Sequence, residues 1–315
     1  MQGPKVSICI TTYNRTTYLP RLLDSIAAQT YKNYNIIVTD NSDTDVIERF
    51  LEPYAQRMPI SYYKNNPVLN MAGNWNKSFS IADGEWIKLI HDDDWLATET
   101  ALQEFVDATD KGARFIFSGR NDFYENTGEY VSKTITQEDF KKVSKNPHLL
   151  FEHNILGPPS ILMFHQSVKQ YYDVNLKWFV DLEYYLTMMD KEPAVYIDKP
   201  LLNTSYNDTQ MTNSCFNNPA VVIPEALYIL KKHGLGFIND IMVYDSFWRM
   251  VRNLKIKNPA VLEAHKGDSP VPDFLYSIVK HQQPFSYDML RVGYISKPLM
   301  AISYMLNKNK LSAAS

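Results

Sequence analysis

Along its first hundred positions the chain alternates short apolar runs with longer stretches in which apolar residues return every third or fourth position. That alternation predicts strands joined by crossover helices, the pattern of a parallel sheet. KVSICITT (5–12) reads as a first strand, and TTYLPRLLDSIAAQ (16–29) as a helix capped by Thr16 or Thr17 with Pro20 tolerated in its first turn. YNIIVTD (34–40) is the second strand and TDVIERFLEPYAQR (44–57) the second helix, bent at Pro53. ISYYK (60–64) forms a third strand, NMAGNWNKSFSIAD (70–83) a third helix, and GEWIKLI (84–90) a fourth strand that runs into three consecutive aspartates.

Open parallel sheets bind ligands beyond the carboxyl ends of their strands. That rule gathers TTYNR after the first strand, TDNSD after the second and HDDDW after the fourth on one cleft. Beyond about residue 100 the periodicity loosens. A helix is expected over 98–112, strands at RFIFSG (114–119) and PSILMF (159–164), an amphipathic helix at VDLEYYLTMMD (180–190), and one or two strands in AVYIDKPLLNTSYN (194–207). From Asn217 onward the pattern is helical, clearest in EALYILKKHG and IMVYDSFWRMVRNLKI. The expected division is 1–98, 99–215 and a helical extension over 216–315.

Composition narrows the class. A chain of 315 residues, 45% hydrophobic and 13% aromatic, buries a sizeable core in one large domain or two coupled ones. A net charge of -3 gives no general attraction to nucleic acid, which is not expected as a partner. With only Cys9 and Cys215, neither a disulfide framework nor a Cys-based zinc site is expected, and a reducing cytosol is the simplest compartment. MQGPKVSICI lacks the apolar core of a signal peptide, and no apolar run is long enough to span a bilayer.

Carboxylates crowded at a strand end repel one another unless a cation offsets them, and hard oxygen ligands select magnesium or manganese. The same residues equally suit a solvated acidic turn capping the helix that starts near Thr98. Seven histidines are scattered without a pair at zinc-ligand spacing, and no glycine-rich phosphate loop is present.

Residues 5 to about 95 resemble the nucleotide-sugar domain of glycosyltransferase family 2, inverting enzymes of the GT-A fold. VSICITTYNR resembles the family's opening strand and Tyr-Asn signature, VTDNS its acidic second turn, and ADGEWIKLIHDDDW its Gly-Glu strand entering the Asp-x-Asp motif. The resemblance implies an α/β fold with a mostly parallel Rossmann-like sheet, flanking helices and a helical C-terminal extension. It implies that Asp92 and Asp94 hold Mn2+ or Mg2+, Asp94 more directly, while Asp92 or Asp93 faces the ribose or sugar. Thr11 joins this donor-binding set at the first strand's end. Tyr13 would stack on the nucleobase, or be a core aromatic; Asp40 would accept a base N–H, favouring uracil, or cap a turn. Arg15 would approach the phosphates or be solvated, and Asn76 would bind the donor or serve an internal network.

The family's base is usually an aspartate after an acidic residue at a helix start. LKWFVDLEYYLTMM matches it with Asp181, although Val180 replaces the acid; Glu183 is the second candidate, and helix capping by Asp181 the plain alternative. Trp178 would line the acceptor site or lie in the core, and Ser160, in a Gly-x-Pro-Ser-like turn, would touch acceptor or donor sugar or simply belong to a rigid turn. Asn207, beside Asp208, stands where many relatives carry a histidine, which leaves a third metal ligand open.

The expected activity is metal-dependent inverting transfer from a nucleoside diphosphate sugar, with UDP expected, to a hydroxyl of a glycan or lipid-linked oligosaccharide in bacterial surface-polysaccharide synthesis. One alternative, a sugar nucleotidyltransferase, calls for a glycine-rich triphosphate loop, which TTYNRTTYL is not. The other is a carbohydrate-binding protein without activity, against which the retained aspartates argue. From Arg291 to Ser315 there is no acidic residue, while Arg291, Lys297, Lys308 and Lys310 punctuate YISKPLMAISYML. Such a segment lies on an anionic membrane surface, or packs on its own domain or on a second subunit of a homo-oligomer.

Overall fold

The computed structural model describes residues 3–207 and 214–312. Strands β1 (Val6–Thr12), β2 (Tyr34–Asp40), β3 (Ile60–Lys64) and β4 (Trp86–His91) pair in parallel in the spatial order β3-β2-β1-β4. Every residue of β1 is buried, which is why VSICITT reads as a continuous run and not as an alternation: both faces of a parallel sheet are covered. The crossovers are α1 (Leu19–Ala27), α2 (Val46–Ala55) and α3 (Met71–Ile81). Helix α1 starts later than its threonines suggest, with Tyr18 at the cap position and no side-chain cap, and Pro20 sits in the first turn where its missing N–H is not needed. Asn70 caps α3 by accepting the Gly73 N–H.

After this parallel half come β5 (Trp95–Leu96), α4 (Ala101–Asp107), β6 (Phe115–Tyr124), β7 (Glu129–Lys133), α5 (Gln137–Lys145), β8 (Leu162–His165), α6 (Val180–Met189) and β9 (Ala194–Tyr206). The sheet continues β4-β8-β6-β9-β5, with β7 on β6. Strand β8 runs antiparallel to both β4 and β6, so the second half of the sheet is mixed. AVYIDKPLLNTSY is one long strand, and Pro200 falls at the register shift opposite Gly119, where a strand tolerates a residue without an N–H.

Two compact units divide the chain. The first (Met1–Pro147, Ile155–Asn175 and Tyr184–Gln210) holds the sheet. The second comprises His148–Asn154, Leu176–Glu183 and Met211–Ser315. Its helices are Pro219–His233, Ile241–Asn253, Pro259–His265, Asp273–Gln282, Tyr287–Arg291 and Gly293–Ser312. Val243, Tyr244, Phe247, Trp248 and Val251 form the buried stripe of the second of these, at helical spacing, and pack with Phe274, Leu275 and Ile278. Among the described residues no helix is long and apolar enough to cross a membrane.

Candidate active site at the ends of β1, β2 and β4

Parallel pairing sets three strand ends level. Thr11 lies opposite both Thr39 and His91, and Thr12 opposite Asp40. The segments that leave β1, β2 and β4 therefore share one edge of the sheet, the carboxyl edge where such sheets take ligands.

At this edge the aspartates form a tight turn closed by the Asp94 N–H on the His91 carbonyl at 3.1 Å. All three carboxylates are buried, and each has a different neighbour. Asp92 is gripped by the Arg15 guanidinium, with Nη2 at 2.5 Å and Nε at 3.3 Å, and the same Nη2 lies 3.1 Å from Asp93. Asp93 also accepts from the Asn207 side-chain amide at 3.2 Å. Asp94 accepts the Ser205 N–H at 3.2 Å and lies 3.8 Å from His91 Nδ1.

These surroundings set the charges. Burial, then the charge of Asp93, pushes Asp94 up to about 8. Burial also raises Asp92, to about 6, against the pull of Arg15. Burial drives His91 down to about 4, so its imidazole is neutral at ordinary pH, and Trp75 stacks on that ring at 5.0 Å. His91 Nε2 is buried and has no hydrogen-bond partner among the described residues.

Donor atoms of His91, Asp93 and Asp94 all lie within 4.8 Å of one another. A neutral imidazole, one of whose ring nitrogens is orphaned, and two carboxylates make a three-residue donor set that fits a divalent cation. Asp92 stands apart from it, paired with Arg15.

Residues distant in sequence hold the turn in place. Arg21 covers the Trp95 ring at 3.5 Å, donates to the Asp93 carbonyl at 3.3 Å and pairs with Glu125 at 2.7 Å. Glu125 in turn accepts the Ser205 hydroxyl at 2.7 Å. Beneath the turn, the fully buried Lys88 donates to the carbonyls of Ser160 and Leu162, and burial holds its ammonium well below the usual lysine range. The sequence reading did not single out His91, Arg21, Glu125, Ser205 or Lys88. Only His91 carried a local signal, since a turn of this kind brings positions i and i+3 back together.

The other anticipated residues fall into three settings. Tyr13 is 58% exposed just beyond the end of β1, beside Asn14, whose left-handed backbone (φ 52°) lets its N–H reach the Ser42 hydroxyl at 2.7 Å. Asp40, Asn76 and Ser160 are engaged internally. The fully buried Asp40 accepts from Thr12 at 3.0 Å, from the Ser42 N–H at 2.8 Å and hydroxyl at 2.5 Å, and from Tyr62 at 2.8 Å. Asn76 pairs with the Tyr172 backbone at 2.7 and 2.8 Å, and Ser160 accepts the His91 N–H at 3.0 Å.

Asp181 and Trp178 belong to the second unit. Asp181, in the first turn of α6, accepts the Leu182 N–H at 2.8 Å and the Asn154 amide at 3.2 Å, and burial raises it to about 6. The half-buried Trp178 lies 6.3 Å from the Phe216 ring. Just before α6, the N–H groups of Lys177, Trp178 and Phe179 all donate to the Glu225 carboxylate, at 2.8, 2.9 and 2.9 Å. Buried Glu183 is paired with Lys232 at 2.9 Å and lies 3.2 Å from His233. Asp208 lies outside the described residues.

Residues 7–172, more than half of the chain, match the family model for Glycosyl transferase family 2, and the chain belongs to that family. Among curated relatives, the abequosyltransferase RfbV of Salmonella typhimurium is 35% identical over 109 residues, 33% of each chain. The GalNAc(5)-diNAcBac-PP-undecaprenol beta-1,3-glucosyltransferase of Campylobacter jejuni is 30% identical over 146 residues, 45% of each chain. The chain thus spans a third to under half of these relatives' own length. Two solved structures share the fold. Staphylococcus aureus TarS 1–349 in complex with UDP-GlcNAc superposes with a TM-score of 0.61 at 13% identity, covering 92% of this chain and 91% of that one. The mannosyltransferase PcManGT of Pyrobaculum calidifontis, with GDP-Man and Mn2+, gives 0.57 at 12% identity, covering 97% and 87%.

Proposed function

We propose that the protein transfers a sugar from a nucleoside diphosphate donor to a hydroxyl of a glycan or lipid-linked oligosaccharide, with inversion and with a divalent ion held by Asp94, Asp93 and His91. The observation that carries this reading is the juxtaposition of a neutral histidine with two buried carboxylates at the carboxyl edge of the sheet. A family match and two fold relatives solved with nucleotide sugars support it. When bound, Mn2+ or Mg2+ offsets the charge that develops on the diphosphate as the glycosidic bond breaks.

The chain's own residues would do the rest. Asp94 would be the central ligand, and Asp92, whose ionised form Arg15 favours against burial, would face the donor's ribose or sugar. Tyr13 offers an exposed ring on which a base would stack, and Thr11, level with Thr39 and His91 at the end of β1, would belong to the same donor-binding set. We read Asp40 as the anchor of the Ser42 turn, because its oxygens are taken by Thr12, Ser42 and Tyr62. A uracil preference therefore draws no support from Asp40, and UDP rests on the family alone. Asn76 and Ser160 likewise act by holding Tyr172 and His91.

Asp181 would take the proton of the attacking hydroxyl, whose oxygen bonds the anomeric carbon while the diphosphate leaves with the electron pair. A carboxylate raised to about 6 is a better proton acceptor near neutrality than an ordinary aspartate. Trp178, three residues before it, would offer an aromatic face to the acceptor sugar.

Donor hydrolysis across a panel of nucleotide sugars with Mn2+ tests the reading. Release of nucleoside diphosphate, lost on chelation, is the expected result. Pyrophosphate release from a nucleoside triphosphate plus a sugar phosphate would put a nucleotidyltransferase in its place, and sugar binding without turnover a non-catalytic protein.

A further inference from the structure

The helix Gly293–Ser312 carries apolar side chains on both its buried and its exposed face. Toward its own unit it turns Met300 and Tyr304, which join the hydrophobic core, and the polar Ser296, Ser303 and Asn307, all buried. Ser296 accepts from Trp248 Nε1 at 2.9 Å, and Ser303 is bonded to the Tyr244 hydroxyl at 2.7 Å and to His281 Nδ1 at 2.8 Å. Asn307 donates to the Tyr244 hydroxyl at 3.0 Å. Toward solvent it turns Tyr294, Ile302, Met305 and Leu306, exposed to 85, 51, 63 and 63%. At about 100° per residue these four fall on one arc of roughly 120°, with the exposed Lys297 and Lys308 along one margin.

A water-facing helix surface normally carries polar groups, and a contiguous apolar stripe on one marks an interaction site. Charge selects the occupant. No acidic residue occurs from Arg291 to Ser315, so a second copy laid against this helix would set lysine against lysine, whereas an anionic surface complements it. We propose that this face docks the protein on an anionic lipid bilayer, with the four apolar side chains in the headgroup–acyl boundary and Lys297 and Lys308 on lipid phosphates. The contact is independent of which donor the enzyme uses, and it would bring the acceptor-using enzyme to a surface on which lipid-linked saccharides lie.

Co-sedimentation of the full chain with vesicles of phosphatidylcholine alone, and of equimolar phosphatidylcholine and phosphatidylglycerol, tests this. Binding is expected only to the anionic vesicles and is expected to weaken with salt. Lys297→Glu should lower the partition coefficient roughly tenfold or more, since it changes two charges at the surface. The triple change Ile302→Ser, Met305→Ser, Leu306→Ser should abolish binding while leaving the melting temperature and donor hydrolysis unchanged, because these side chains are exposed. Equal sedimentation with and without anionic vesicles would overturn the proposal. So would a dimer in solution that the triple change converts to monomer, which would assign the face to a second copy.

Discussion

If Asp94 is the central ligand of a divalent ion, that ion must displace a proton to bind. Asp94 is raised to about 8 because it is buried beside charged Asp93, so below that pH the carboxyl holds its proton. The apparent dissociation constant for Mn2+ should then improve about 50-fold between pH 6 and pH 8, close to tenfold over the first unit, and level off above. Asp92 and His91, at about 6 and about 4, titrate at or below the foot of that window and do not produce the rise.

Stability should move in the opposite sense in the metal-free protein. A carboxyl whose folded pKa is raised from 3.8 to about 8 binds more protons folded than unfolded across that range, so its contribution to stability is lost as pH rises. The melting-temperature gain on adding Mn2+ should accordingly be larger at pH 8 than at pH 6. Calorimetric titration at three pH values, repeated with Asp94→Asn, measures the effect: the variant should bind weakly with no pH slope. Equal affinity at pH 6 and 8 in the unmodified enzyme would refute the assignment of Asp94 as a ligand.

Asp181→Asn should spare donor binding and reduce transfer by at least about 100-fold, as loss of a general base does; full turnover would remove Asp181 from the mechanism. In the unmodified enzyme the acid limb of kcat should rise through about pH 6, where Asp181 ionises, and its absence would do the same. Glu225→Ala leaves three N–H groups before α6 without their acceptor and should cost about 3 kcal/mol on unfolding in denaturant, with a larger fall in kcat than in donor affinity. Arg15→Met removes the cation that opposes the burial of Asp92, so donor KM should rise, and more steeply at pH 6 than at pH 8.

Much of the parallel half was legible because burial on both faces writes strands as unbroken apolar runs, and β1 to β4 lie close to where those runs stand. The second half was less so. Glu129–Lys133 is largely exposed and carries no apolar period, and Gln137–Lys145 buries only Phe140 and Val143, so neither announced itself. Helix α1 starts later than its threonines suggest because hydroxyl residues signal a cap only by type, while the chain there is turned toward Asp92 through Arg15.

At the site, the acidic turn is written in consecutive letters, whereas its supports come from positions 15, 21, 88, 125, 205 and 207 and are joined only by the fold. Asp40 illustrates the limit from the other side: a carboxylate at a strand end shows no partners in sequence, and only the fold reveals its bonds to Thr12, Ser42 and Tyr62.

Anomalous diffraction at the manganese edge, from crystals grown with UDP and Mn2+, addresses the central claim most directly. A single strong peak within bonding distance of the Asp94 and Asp93 carboxylates, in contact with the nucleotide's phosphates, is the predicted result. Nucleotide bound in full with no manganese near these side chains, in an enzyme that still turns over in chelator, would contradict it.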